Sequence, residues 1–161
     1  MKICVISDTH IHNDEDFSPE LKDILKKYKH FIHAGDITSL ETLKFFKKHG
    51  DITAVRGNMD GYPLDEILNE KEVIDIENVR IGICHGAGSP HNIEERMLTK
   101  FKNDDVQIII FGHIHTPVLK RVGNTLLLNP GSLTSNRTGK YETYATIDTD
   151  NDFTIEFHEL R

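Results

Sequence analysis

Residues 106–115 read VQIIIFGHIH. Six residues, nearly all apolar, run into a glycine and then into two histidines spaced two apart. An apolar run of this length and β-branched composition predicts a buried strand. Residues two apart in an extended segment point to the same side. The same punctuation occurs four more times. KICVIS (2–7) runs into Asp8-Thr9-His10, and FIHA (31–34) into Gly35-Asp36. ITAV (52–55) passes through Arg56 into Gly57-Asn58, and VRIGIC (79–84) ends at His85-Gly86. Each polar cluster falls at the carboxyl end of a predicted strand, the edge at which open α/β sheets form their binding crevice.

Two helices are predicted between the first three strands. Ser18-Pro19 supplies an N-cap and a first-turn proline, and Leu21, Ile24, Leu25 and Tyr28 follow with helical spacing. Thr38-x-x-Glu41 reads as a capping box, after which Leu40, Leu43 and Phe46 carry a second helix to a stop at Gly50. The order β-α-β-α-β predicts a parallel sheet with crossover helices. Beyond residue 70 the texture changes. Residues 73–76 and 79–84 read as a hairpin turning at Glu77-Asn78. A helix is expected to open at Ser89-Pro90 and to pack through Ile93, Met97 and Phe101. Residues 118–122 and 125–128 flank a Gly123-Asn124 hairpin turn. Asn129-Pro130-Gly131-Ser132 reads as a tight turn, and residues 143–147 pair with 153–157 around a loop. This β-rich half implies a mixed sheet and a second sheet beside the first.

A chain of 161 residues suits one domain spanning 1–161,. Such a chain buries roughly 70% of its unfolded surface and needs no staples. The balance is acidic, 26 Asp and Glu against 19 Lys and Arg with a net charge of −7, and no basic stripe of the kind that grips nucleic acid is present. Cys4 and Cys84 lie inside apolar runs, which suits a reducing compartment. No run approaches the ~18 apolar residues of a membrane span, and the first apolar run, broken by Asp8, is too short for a signal peptide. The expected location is the cytoplasm.

The five clusters together offer Asp8, His10, Asp36, Asn58, His85, His113 and His115, seven oxygen or nitrogen donors aimed at one crevice. Without cations the two carboxylates would repel each other and the imidazoles would be desolvated without return. Two divalent ions remove both difficulties, and glycines at 35, 57, 86 and 112 allow the backbone to come close.

In this order, Asp8-x-His10, Gly35-Asp36, Gly57-Asn58, His85-Gly86 and Gly112-His113-x-His115 resemble the signature of the calcineurin-like metallophosphoesterases, over Met1 to about Ser132. The compact length and the Asn129–Ser132 stretch are similar to the family's small phosphodiesterase branch. The resemblance implies an α/β fold, a four-layer αββα sandwich of two mixed β-sheets with flanking helices and a dinuclear site at one edge. By motif, Asp8, His10 and His115 would hold one ion, Asn58, His85 and His113 the other, and Asp36 would bridge them. Asp8, Asp36, Asn58 and His113 carry the implied catalytic roles. The implied reaction is hydrolysis of a phosphate ester, a diester first and a monoester second, by a metal-bridging hydroxide. Manganese heads the candidate metals, and nickel, iron, cobalt and zinc also suit the ligand set. The expected partner is a small phosphate-ester substrate, with neither membrane nor nucleic acid indicated. A monomer and a homo-oligomer are both compatible with the sequence.

One position departs from the family. Relatives resemble Gly-Asn-His-Asp or Gly-Asn-His-Glu where this chain reads Gly57-Asn58-Met59-Asp60, and a thioether cannot protonate a leaving oxygen. General acid catalysis is worth roughly 10²–10⁴-fold, so the chain is expected to favour good leaving groups or to use His12, Asp60 or His91 instead. His33 is expected to pack behind the site, and His30, His49 and His158 to face solvent. Asn136-Arg137 is expected at the substrate edge, where Arg137 would meet a phosphate. The alternative to an enzyme is a catalytically inactive scaffold of the same fold, as in a retromer subunit similar to this branch. A nuclease is disfavoured by the acidic balance.

Overall fold

The computed structural model describes residues 1–134, 141–151 and 153–160. In chain order the elements are β1 (Lys2–Ile6), α1 (Pro19–Leu25), β2 (His30–His33), α2 (Leu40–His49), β3 (Asp51–Ala54), α3 (Leu64–Ile67), β4 (Lys71–Ile76), β5 (Val79–Cys84), α4 (Ile93–Lys100), β6 (Ile108–Phe111), β7 (Pro117–Val122), β8 (Thr125–Pro130), β9 (Glu142–Asp148) and β10 (Thr154–Leu160). Two five-stranded sheets form, in the orders β10-β9-β1-β2-β3 and β4-β5-β6-β8-β7. Each has a parallel centre, β1-β2-β3 in one and β5-β6-β8 in the other, with antiparallel strands outside it.

Strand alternation explains the layering. Ile3, Val5, Ile32 and Ala34 of the first sheet meet Ile81, Ile83, Ile108, Ile110 and Leu128 of the second in one buried cluster, the seam between the sheets. The intervening positions Cys4, Ile6 and Phe31 point outward to Leu21 and Leu25 of α1 and Phe45 and Phe46 of α2. On the far side Cys84, Ile109, Phe111 and Leu127 pack on Ile93 and Met97 of α4. A side-chain period of two on strands buried on both faces gives helix, sheet, sheet, helix, the αββα sandwich that the motifs implied.

Several local expectations need correction. The second helix is capped one residue later than predicted. Ser39 Oγ accepts the Thr42 N–H at 3.1 Å, because the Thr38 N–H is already given to Asp60 at 2.6 Å and Thr38 sits at φ 68°. The helix expected at Ser89-Pro90 starts only at Ile93. Before it, Ser89 Oγ accepts the His91 N–H, and the Arg96 guanidinium gathers the carbonyls of Ala87, Ser89 and His91, so the chain folds as a loop. Asn129 and Pro130 belong to β8 and pair with Val118 and Pro117; the turn begins at Gly131. The α3 turn was not predicted, since four residues carry no readable period; its Leu64 fills a small cluster with Ile37 and Leu43. His158 does not face solvent freely: it stacks on Tyr144 at 4.6 Å and bonds Thr146 Oγ1 at 2.9 Å. His49 bonds the Phe45 carbonyl through Nδ1 at 2.7 Å.

Candidate metal centre

The parallel strands β1, β2, β3, β5 and β6 each deliver one of the five polar clusters past their carboxyl ends. The loops lock to one another before any side chain is considered. Asp8 N–H donates to the Gly35 carbonyl at 3.0 Å, His10 N–H to that of Asp36 at 3.2 Å, and Gly112 N–H to that of His85 at 3.0 Å. Asp8, His10, Asp36, His113 and His115 all lie at positive φ, between 46° and 75°. That region is uncommon for side-chain-bearing residues and is a form of strain that collects at functional sites.

Asp8, Asp36 and His85 each divide their polar atoms in the same way. Asp8 Oδ2 accepts the Ser7 hydroxyl at 2.6 Å and the His113 N–H at 3.1 Å. Its Oδ1 is buried and receives no hydrogen bond among the described residues. Asp36 Oδ1 accepts the Met59 N–H at 2.8 Å, and Oδ2 faces His85 Nε2 at 3.2 Å and His10 Nε2 at 3.5 Å. A carbonyl can only accept, so His85 Nδ1, 2.7 Å from the Ala34 oxygen, carries the proton. In the neutral ring Nε2 is then a bare lone pair. It too is buried without a hydrogen bond. One atom of each residue is fixed by the protein, and the other is offered to a common space.

Two trios of offered atoms converge there, Asp8 with His10 and His115, and Asp8 with Asp36 and His85, each within 4.8 Å. His115 Nε2 lies 3.2 Å from Asp8 Oδ1. Asn58 and His113 stand outside these trios as a rim pair. His113 Nε2 bonds the Gly88 carbonyl at 2.7 Å and so carries a proton, which leaves Nδ1 facing Asn58 Oδ1 at 3.1 Å. In the neutral ring these are two facing acceptors, which a cation between them would join, whereas a doubly protonated ring would donate to both oxygens,. The His113 ring packs edge-on to His85 at 5.5 Å, which makes the rim pair continuous with the buried donors.

The donor set fits divalent ions. Ligand bonds of about 2.1 Å set 90–109° apart separate neighbouring ligand atoms by about 3.0–3.4 Å. The separations of 3.1, 3.2 and 3.2 Å found here match that spacing, and those of 3.5, 3.8 and 3.8 Å lie just above it. The electrostatics agree. Burial raises the Asp8 carboxyl, but the close approach of His115, the charge of His85 and the Ser7 hydroxyl outweigh it and hold it below the usual range. Burial is likewise overcome at Asp36 by His85, the Met59 N–H and His10. Burial disfavours a charged His85, yet Asp36 and Asp8 raise its pKa above the ordinary value. Both carboxylates are ionised and the space between them attracts a cation.

The supporting residues were harder to read from sequence. Asp60, expected as a substitute acid, is a clamp. Its buried carboxylate accepts the N–H groups of Gly57 (2.7 Å) and Asp36 (3.0 Å) on one oxygen and of Thr38 (2.6 Å) on the other. Burial raises its pKa against those donors. His12 and His91 are exposed. His33 packs behind the site as expected: Gly35 N–H donates to its Nδ1, so Nε2–H donates to Thr9 Oγ1, whose hydroxyl turns to the Asp36 carbonyl. Ser7 was missed, and Ser132 was read only as part of a turn; its hydroxyl donates to the Asp8 carbonyl at 2.9 Å. Asn129, read as part of a turn, donates to the Gly112 carbonyl at 2.8 Å. No sequence period marks such residues. Asn136 and Arg137 lie outside the described residues.

A two-sheet α/β sandwich with carboxylates and imidazoles gathered at its carboxyl edge is the architecture of a metallophosphoesterase. The chain matches the calcineurin-like phosphoesterase superfamily domain over residues 1–152 and belongs to that family. It is 36% identical to a probable metallophosphoesterase of Methanocaldococcus jannaschii over 139 residues, covering 85% of this chain and 70% of that protein. It is 30% identical to a phosphodiesterase of the same archaeon, covering 93% and 94%. Among solved structures it is similar to a single-mutant Vps29 from Entamoeba histolytica, with a TM-score of 0.79, 25% identity and full coverage of both chains. Among the described residues no helix is long and apolar enough to cross a membrane.

Proposed function

We propose that residues 1–161 act as a single metallophosphoesterase domain that hydrolyses a small phosphodiester, with two divalent ions held by the seven donors. Asp8, His10 and His115 hold one, Asn58, His85 and His113 the other, and Asp36 lies between them. The observation that carries this reading is the divided polar groups of Asp8, Asp36 and His85, each half tied and half presented. Ions bound there supply a strong oxygen nucleophile near neutral pH and neutralise the phosphate. The chain's own work is positional. Ser7 and the His113 N–H fix Asp8, the Met59 N–H fixes Asp36, and the Ala34 carbonyl fixes His85 in the tautomer that leaves Nε2 available. Manganese suits the mixed oxygen and imidazole set, and the two buried thiols suit the cytoplasm,.

Met59 narrows the substrate. The residue is 58% exposed at the rim and its thioether has no proton to give, so the leaving oxygen departs without an acid at that position. Esters with acidic leaving alcohols are favoured accordingly. The test is calorimetric titration of chelator-stripped protein with Mn²⁺, followed by turnover of a chromogenic diester and monoester. Two ions per chain and diester hydrolysis are expected, and Asp36→Asn should lose both together. The likeness to Vps29 supports a second reading, an inactive scaffold, which predicts no turnover even in metal-loaded protein.

A further inference from the structure

A cleft of about 370 Å³ opens beside the His85–Asn58 side of the site. Its walls come from the segment that follows β3 and from α4 with the loop before it. Arg56, Arg96 and Lys100 line it, and the one carboxylate among its described lining residues is that of Glu70. Three cationic side chains against one carboxylate leave a surplus of two positive charges, in a chain whose net charge is −7.

The three cations are not equivalent. Arg56 is largely spoken for, since it donates to the Asp65 carbonyl at 2.9 Å and pairs with Glu70 at 2.6 Å. Among the described residues Arg96 is held by carbonyls alone, those of Ala87, Ser89 and His91, so it is fixed in place without a carboxylate partner there. Lys100 is exposed at the last turn of α4, and its ammonium meets no carboxylate or carbonyl among the described residues. Its charge still reaches Glu70, whose carboxyl lies below the usual range, first through Arg56 and then through Lys100. A preset guanidinium and an unspent ammonium share one cleft with two of the donors that would face substrate.

We infer that this cleft binds a second phosphate of the substrate, so that the physiological ester is a phosphodiester bearing an additional phosphate on one arm. The surplus of two positive charges matches a phosphate monoester, which carries about −1.5 to −2 at neutral pH. The cleft lies at the lower end of the volume range of small-molecule sites, enough for a phosphorylated sugar or polyol arm and not for an extended polymer. Lys100 supplies the recognising point charge. Arg96 holds the loop and adds field. This deepens the phosphodiesterase reading and rests on it for the chemistry, but not for the binding.

The binding is tested on the full chain stripped of metal, titrated with inorganic pyrophosphate and followed by amide and side-chain NMR shifts. Saturable shifts in residues 86–100 are expected, weakened by salt and lost in Lys100→Glu, with Lys100→Gln intermediate. Circular dichroism of both variants should match the parent, because position 100 is exposed. Absence of shifts, or shifts that Lys100→Glu leaves intact, overturns the proposal. In metal-loaded protein, two chromogenic diesters are compared, bis(p-nitrophenyl) phosphate and a p-nitrophenyl glycerol diester phosphorylated on its far hydroxyl. The parent should prefer the second by about tenfold in kcat/KM, and Lys100→Glu should abolish that preference. Turnover of both at equal efficiency also overturns it. Failure to hydrolyse either ester would sink the phosphodiesterase reading instead, while the pyrophosphate titration still decides the cleft.

Discussion

Replacing Asp60 by Asn changes one oxygen into an NH2 group, in a place where every neighbour is a donor. The carboxylate accepts Gly57 and Asp36 N–H on one oxygen and Thr38 N–H on the other. An asparagine oxygen can keep the first pair, and its NH2 must then face the Thr38 N–H. One charge-assisted bond of about 1.5–3 kcal/mol is lost and a buried donor is left unsatisfied at about 1–3 kcal/mol. Relief from burying a charge offsets part of this, as the raised pKa of Asp60 indicates, so the net cost is about 2 kcal/mol. For a domain of this size that lowers Tm by roughly 4–8 °C. The same three bonds hold the Asp36 and Asn58 loops against each other, so metal affinity should fall about 10–100-fold, the usual scale for a lost supporting contact. Calorimetric melting of the stripped protein and Mn²⁺ titration measure the two effects separately. A general acid would behave otherwise: Asp60→Asn would keep stability and metal affinity and lose turnover only on poor leaving groups. That outcome would refute the clamp.

Met59→His adds an imidazole at an exposed rim position and should raise kcat on alkyl phosphodiesters at least tenfold while changing p-nitrophenyl esters little; equal effects on both would discredit the missing-acid account. Gly35→Ala places a methyl group 2.7 Å from His85 Nδ1 at φ 92°, so unfolding should cost at least about 2 kcal/mol less and metal affinity should drop with it, both read by denaturant titration with and without Mn²⁺. Burial holds the His33 pKa down, to about 3, against the opposing charges of Asp8 and Asp36. Between that value and the unfolded ~6.5 only the unfolded chain takes up the proton, so stability is full above pH 6.5 and falls as pH falls. At pH 5 the loss is about 2 kcal/mol. Stripped His33→Gln should lack that part of the acid sensitivity, and parallel stability–pH curves for the two proteins would refute it.

What the sequence showed depended on range. Strand runs such as KICVIS and VQIIIF announce themselves, because a residue buried on both sides of a sheet has to be apolar wherever it sits. The candidate donors were legible for a related reason: each cluster lies within a few residues of such a run, and the ends of parallel strands share one edge. The cap of α2 was not. Thr38 and Ser39 are equally good caps by local rules, and the choice was made by Asp60, more than twenty residues away, which had already taken the Thr38 N–H. Asp60 was misread for the same reason. A carboxylate next to Asn58 and Met59 looks like chemistry until three backbone donors from two loops are found on it. The α4 start was displaced by Arg96, whose hold on three carbonyls favours the preceding loop over another helical turn. Contacts that cross between loops leave no period to find.

The case for bound cations turns on strain. Five of the seven donors sit at positive φ, and such conformations cost of order 1 kcal/mol or more each, against a total stability of about 5–15 kcal/mol for a typical domain. Buried Asp8 Oδ1 and His85 Nε2 add the cost of polar atoms without hydrogen bonds among the described residues,. None of this contributes to the sandwich: the seam between the sheets is apolar and lies beneath the donors. A binding surface of the same shape would be more stable with small or apolar residues at Asp8, Asp36 and His85. Keeping all three, each with one polar atom fixed and the other presented, makes physical sense only if something positively charged returns the energy. A proton on His85 can satisfy one of the two carboxylates at a time. Two divalent cations can satisfy both carboxylates together with the facing lone pairs of His113 and Asn58.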